Sequence, residues 1–348
     1  MKKSVKLLTL MLGASLLAAA PATAQDKKIT LQLAGSYPAP TSILGPAQER
    51  LTKQIEALSG GSIEVKFFAP GALLPPKEYF DAISSGALDA AFTDSLIWSG
   101  KDIGFTLFTN VPFGPGAPEY LAWMKQGGGE EMMKELYGKY NIVSMVCGFL
   151  AAEGGGWFRK PIDSLDDLKG LKFRIGGLGG NVMEKLGVST QNISPGELLQ
   201  ALQLGTVDAA EFSMPSIDKS LGFQTVTKYY YFPGWQAQSS FPVLLISKAK
   251  WDAMSQQQKD SVQAACDQST MSMLTEGEAL QPKALADLEA AGVEIREYPE
   301  DVLKALEEKW QEVAAEQAQK SENFKKAWDS YSAFRAQYAK WKKIGFVK

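Results

Sequence analysis

The chain, 348 residues long, contains no histidine. Ser-His-Asp and Cys-His catalysis, histidine-ligated zinc and imidazole acid–base work are therefore excluded. Cysteine is nearly absent too, with Cys147 and Cys266 alone. Cys147 lies in an apolar strand-like run, "NIVSMVCGF", and Cys266 in a long helical pattern, so the expectation is two buried small apolar residues rather than a disulfide. Beyond the first residues no apolar run approaches the ~20 residues of a transmembrane helix, so no direct membrane insertion is expected. No Gly-Lys-Ser/Thr triplet is present, which removes a P-loop.

What is there begins with an export signal. Lys2, Lys3 and Lys6 precede an apolar run over 7–20, and Ala22-Thr23-Ala24 offers an A-x-A site for cleavage after Ala24. Gln25 rather than cysteine follows the cut, so a free soluble protein of a Gram-negative periplasm is expected. Loss of the leader takes the formal charge from −3 to −6, since three lysines and no acids leave with it. A mildly acidic surface speaks against nucleic acid or anionic membrane as the partner. The ~320 residues that remain exceed what one hydrophobic core serves, and two lobes are expected.

Strand-like and helix-like segments alternate, which predicts an α/β architecture. Two of them echo each other. "PGALLPPKEYFDAISSGALDAAF" from Pro70 and "PGELLQALQLGTVDAAEF" from Pro195 share Pro-Gly-x-Leu-Leu, a helix, a glycine and aliphatic-Asp-Ala-Ala. The echo predicts two lobes of related topology around one cleft, with chance similarity of two short βα units as the plainer alternative. The lobes are expected at 25–148 with about 237–280, and at 149–236 with about 281–348. Over 255–291 a helical pattern runs for about 37 residues, or ~55 Å, interrupted only by Pro282, and is expected to cross both lobes. Beyond it, Val302, Leu306, Trp310 and Val313, then Phe324, Trp328, Tyr331, Phe334, Tyr338 and Trp341, fall mostly at spacings of three and four and read as packing surface.

The stretch "LKFRIGGLGGNVMEKLG", 171–187, has the outline of a phosphate cradle: a strand, a glycine loop and a helix start. Its spacing fails, because Val182 occupies the third glycine position after Gly177 and Gly179. Arg174 stands in the strand between Phe173 and Ile175. A guanidinium there needs an anion, since an unpaired buried charge costs several kcal/mol. Two partners are open: a protein carboxylate, Glu211 or Asp208, or a ligand carboxylate gripped by the planar fork, with the glycines making room beside it.

The run "SLDDLKGLKFRIGGLGGNVMEKLG" followed by "ISPGELLQALQLGTVDAAEF", with "VKFFAPGAL" and "AISSGALDAAF" before it and the long helix after it, resembles the substrate-binding subunits of tripartite ATP-independent periplasmic (TRAP) transporters, the DctP family. The resemblance spans essentially the whole chain after the leader. It implies a two-lobed α/β periplasmic clamshell that closes on a small organic acid, an arginine that fixes the carboxylate, here Arg174, and delivery to TRAP permease subunits driven by an ion gradient. "AAEF" and "YYYFPGWQAQSS" are most similar to the branch binding 2-oxo acids and related monocarboxylates, in which a sodium or calcium ion can bridge protein and ligand. That branch has Gln-x-Gly-Gly-Trp, an Asp-Ala-Ala-Glu run ending in Trp, and a glutamate after Pro-Gly-Trp. This chain has "EGGGW" with Glu153, then Phe212, then Gln236, Ala237 and Gln238. All three departures fall on metal-linked positions, so no cofactor is certain and a sodium or calcium ion at the ligand site stays an open alternative.

These departures suggest a change of ligand. Glu153 beside Arg174 would put an acceptor and a cation in one site, which suits a ligand with an amine or hydroxyl as well as an acid group; a salt bridge from Glu153 to Arg174 or Arg159 is the alternative. Phe212 and Trp235 are expected as apolar walls or a cation–π face, with Glu211 and Gln236 beside them. Ser36, Tyr37 and Asp94, at or just past strand ends, are the first lobe's expected contribution, and one or two rings of the run "YYYF" at 229–232 face the cleft. The expectation is a receptor and not an enzyme. Its rivals are the binding protein of an ATP-driven importer and a periplasmic lyase or hydrolase using Glu153 or Glu211 as general base.

Overall fold

The computed structural model describes residues 27–191, 193 and 195–345, and the expected leader and its cleavage site lie outside them. Period-two alternation makes the first strand, β1 (Ile29–Gly35): Ile29, Leu31 and Leu33 are buried while Thr30 and Gln32 face solvent. It is followed by β2 (Ile63–Phe68), β3 (Ala90–Thr93), β4 (Ile142–Val146), β5 (Gly156–Phe158), β6 (Lys172–Arg174), β7 (Ser189–Gln191), β8 (Ala209–Ala210), β9 (Tyr229–Phe232), β10 (Val243–Ser247) and β11 (Glu294–Glu297). Two sheets result, in the orders β2-β1-β3-β10-β4 and β11-β9-β5-β8-β6-β7.

The sheets repeat one plan. In the first, β1 lies between parallel β2 and β3, and β10 runs antiparallel between β3 and β4. In the second, β6 lies between parallel β7 and β8, and β5 runs antiparallel between β8 and β9. The two echoed segments end on β3 and β8, which hold matching places, so the echo reflects related topology. In each lobe the antiparallel strand is the first formed after the chain crosses over. The crossing segments 147–155 and 233–242 run side by side, with Leu150 N donating to Ser240 O at 2.8 Å and Glu153 N to Ala237 O at 3.2 Å.

A helix over Gln256–Ala290, 35 residues long, starts at a capping box between Ser255 and Gln258 and buries Val262, Ala265, Met273 and Leu288. It packs on the first-lobe helix Leu44–Leu58, where Arg50 meets Glu276 at 2.9 Å, and on the second-lobe helix Pro215–Leu221, where Lys219 pairs with Asp287. One rod of about 52 Å thus joins both lobes, with Pro282 inside it.

The cysteines correct the expectation of two unpaired thiols. Cys147 and Cys266 are fully buried and joined by a disulfide that fastens a crossing segment to this helix. The core that buries them also brings them together, which two separate apolar patterns could not reveal.

Near the C-terminus, helix Glu300–Lys320 buries Val302, Leu306, Trp310 and Val313, and packs against the second-lobe helix Gly177–Glu184. Helix Glu322–Ile344 then turns back onto the first lobe, where Tyr331 meets Trp123 at 5.2 Å and Arg335 meets Glu119 at 3.3 Å. The expected allotment of 281–348 to the second lobe meets a different packing at this end, because Phe324, Ala327 and Tyr331 belong to the core that holds Trp123. The aromatic stripe leaves the core beyond Tyr331: Phe334 is half-buried and Trp341 is 54% exposed.

Candidate functional site

The carboxyl ends of the parallel strands of both sheets meet beside the crossing segments, where an open α/β sheet offers a ligand site. Ser36 and Tyr37 follow β1, Asp94 follows β3, Arg174 ends β6, and Glu211 and Phe212 follow β8. The crossing segments add Glu153 and Gln236.

Arg174 is held by the loop and strand next to it. Its Nε donates to Ile193 O at 3.2 Å, and its Nη1 to Glu211 O at 2.5 Å and Glu211 Oε2 at 3.5 Å. Its guanidinium stacks over the Phe212 ring, 5.5 Å from the centroid. Of the two protein partners open to it, Glu211 is therefore the one it meets, while Asp208 accepts instead from the backbone N–H of Lys172 at 3.1 Å. Nη2 has no partner among the described residues.

Glu153 sits 4% exposed on the crossing, and its Oε1 accepts from Ser240 Oγ of the opposite crossing segment at 2.5 Å. It forms no ion pair with Arg174 or Arg159 among the described residues; Arg174 is taken by Glu211. Gln236 Nε2 donates to Gly154 O at 2.8 Å and to Glu211 Oε1 at 3.4 Å. Trp235 is buried, with its ring 5.9 Å from that of first-lobe Phe113.

The first lobe supplies Tyr37, buried near Asp94 and Glu153, and Asp94, whose Oδ1 caps a short turn by accepting from Leu96 N at 2.7 Å. Ser36 is committed to the sheet, donating from Oγ to Thr93 Oγ1 at 2.8 Å. Of the aromatic run, Tyr230 is the ring that reaches the acidic groups, while the Tyr231 hydroxyl donates to Ile162 O at 3.3 Å.

Asp218 escaped the sequence reading. It is 1% exposed, with Oδ2 accepting from Trp157 Nε1 at 2.9 Å and Tyr230 OH at 2.8 Å, and Oδ1 from Ser213 N at 3.0 Å. Its signal is an acid on a short helix, "PSIDKSL", whose Pro215, Ser216 and Ile217 are buried beside it. Ser240 escaped as well, since nothing in a lone serine marks it as a carboxylate's partner.

Burial dominates the titration of the whole cluster. It raises Glu153 well above the usual carboxylate range, and the neighbouring Glu211 charge adds to this. Burial also raises Glu211, against the pull of Arg174, and raises Asp94 against its bond from Leu96 N. Asp218 is pushed up to about 7 by burial, opposed by its bonds from Trp157 and Tyr230. Tyr37 and Tyr230 are held neutral by burial, with Asp94 and Asp218 respectively as the nearest charges raising them.

The three departures change which side-chain oxygens a cation would meet here. Glu153 Oε1 accepts from Ser240 Oγ, Phe212 has no ligating side-chain atom, the Gln238 amide nitrogen donates to Gly234 O at 2.8 Å, and Gln236 Oε1 has no donor among the described residues. Among the described residues no group of three acidic, cysteine or histidine side chains is arranged to hold a metal ion by itself, although sodium and calcium also take carbonyl and amide oxygens.

Comparison with known proteins identifies the family. Residues 34–321 match the family model "DctP: Bacterial extracellular solute-binding protein, family 7". A curated relative, the monocarboxylate 2-oxoacid-binding periplasmic protein of Nostoc sp., is 33% identical over 85% of this chain and 81% of its own length. A TRAP transporter solute-binding protein from Bordetella bronchiseptica, solved with calcium and picolinate, superposes with a TM-score of 0.89 at 35% identity, covering 91% of this chain and 95% of that one. One from Pseudoalteromonas atlantica, solved with sodium and pyruvate, has a TM-score of 0.88 at 33% identity, covering 91% and 97%. No helix of the described residues is long and apolar enough to cross a membrane. The chain thus belongs to the DctP family, as a solute-binding receptor of the TRAP type and not an enzyme.

Proposed function

We propose that this receptor captures its organic acid in the periplasm by closing its two lobes, with Arg174 as the carboxylate anchor, and delivers it to a TRAP permease driven by an ion gradient. The observation that carries this reading is Arg174 itself. Two backbone carbonyls orient its guanidinium, while Nη2 keeps its donors without a protein partner among the described residues. A carboxylate on Nη2 would make charge-assisted bonds at a place where water is largely excluded.

The placement of the groups supports closure. Arg174 and Glu211 belong to the second lobe, Tyr37 and Asp94 to the first, and Glu153 and Gln236 to the crossings between them. A ligand that touches both lobes binds the closed form better than the open one and shifts the population by that difference. The relatives' ligands, pyruvate and picolinate, set the size class.

Calorimetry on the chain and on Arg174→Ala, with pyruvate and picolinate as probes, tests the reading. A charged hydrogen bond of about 1.5–3 kcal/mol predicts a loss of roughly tenfold to a hundredfold in affinity. Undiminished affinity of Arg174→Ala for every acid that the parent chain binds would sink the assignment.

A further inference from the structure

We infer that the preferred ligand carries a cationic nitrogen beside its carboxylate, received by Glu153 and Glu211, so that the ligand itself supplies the positive charge that metal ions supply in the neighbouring structures. The inference rests on the receptor reading above and narrows it to one ligand class, the zwitterionic acids.

Charge is the first ground. Asp94, Glu153, Glu211 and Asp218 act on one another through space as one acidic cluster, Arg174 acts on Asp94 and Glu211, and the ion pair among them is Arg174 with Glu211 at 3.5 Å. Asp94 is bonded by a backbone N–H, Glu153 by a hydroxyl, and Asp218 by an indole, a phenol and a backbone N–H. None of those donors brings a charge. A simple 2-oxo acid would add a further negative charge and only acceptor atoms to this group.

Gln236 is the second, independent ground. It is 3% exposed, and its Nε2 faces two acceptors, Gly154 O at 2.8 Å and Glu211 Oε1 at 3.4 Å. Those partners fix which end of the amide is nitrogen, because a flipped amide would set oxygen against oxygen. The amide oxygen is left buried without a donor among the described residues. A buried acceptor in that state is costly, and it sits on the group that bonds Glu211. An ammonium has three donors and the missing charge; a ligand hydroxyl would supply a donor without the charge. A bound sodium or calcium ion would meet the same acceptors, and binding measured in chelator separates the two.

Matched pairs that differ only in this nitrogen decide the matter: pyruvate against L-alanine, and 2-oxoisovalerate against L-valine, by calorimetry on the full mature chain in chelator and again with added calcium or sodium. The expected result is that the amino member binds at least tenfold tighter in chelator, and that Glu153→Gln shrinks this preference at least tenfold. The comparison on the parent chain stands alone should that variant not fold. Tighter binding of the oxo members, with or without added ion, overturns the inference and leaves the receptor reading intact. Binding of neither member of any pair, nor of picolinate, overturns both.

Discussion

Leu96 of the first lobe lies against Gly177 of the second, so closely that a β-carbon on Gly177 would sit 2.2 Å from Leu96 Cδ1. Gly177 also has φ +57, a conformation costly for residues with a side chain. Gly177 thus serves the meeting of the lobes. Gly177→Ala should cost about 1–2 kcal/mol of stability and hold the lobes apart, weakening binding of any acid the parent chain binds by tenfold or more. Leu96→Ala in the same chain should restore much of the binding and little of the stability. Calorimetry with X-ray scattering, read for compaction on ligand addition, checks both; an unaltered compaction in Gly177→Ala would refute the contact's role.

Gly179 has a different neighbour. A β-carbon there would lie 3.0 Å from Ile175 Cδ1 and 3.1 Å from Gln236 Cβ. Gly179→Ala should displace Gln236 and weaken ligand binding severalfold, while φ at this position allows any residue, so the melting temperature should fall only slightly. A thermal-shift titration separates the two effects.

The disulfide closes a loop spanning 119 residues of sequence. Replacing both cysteines by serine should lower stability by about 2–5 kcal/mol, chiefly by freeing the unfolded chain. Chemical denaturation of the oxidised, reduced and doubly substituted chains measures this. Equal midpoints for all three would mean that core packing alone holds the helix to the crossing segment.

Asp218 makes stability depend on pH in a direction opposite to that of salt-bridged acids. Its folded value, about 7, lies above the unfolded 3.8, so the native state binds the extra proton between these limits. The contribution is fully present below about pH 4 and is lost as pH rises through 7, amounting to a few kcal/mol. Glu153 and Glu211, both raised, act with the same sign. Melting temperature should therefore decline from mildly acid to neutral pH. Tyr230→Phe removes a bond that favours the ionised form and should move the decline to higher pH; a profile that rises toward pH 7 would contradict the buried cluster.

Several features were legible because each is a local pattern. The alternation in "KITLQLAG", the periodic run over 255–291 and the repeated Pro-Gly-x-Leu-Leu units are set by side chains a few residues apart, and they appear as β1, the long helix and two sheets of one plan. Arg174 was legible because a charge in an apolar strand demands a partner. Its partner was not: Glu211 and Asp208 were equally near in sequence, and the register of β6 against β8 decided for Glu211.

The residues that escaped are those whose meaning arises only from contacts far apart in the chain. Ser240 lies 87 residues from Glu153, and Trp157 lies 61 from Asp218. The sequence by itself determined the architecture, the lack of imidazole chemistry and the need for an anion at Arg174, since these follow from composition and local periodicity. Tertiary structure alone decided that the cysteines join, that a glycine serves Leu96, and that four carboxyl groups form one buried cluster, because burial and charge act through space and not along the chain.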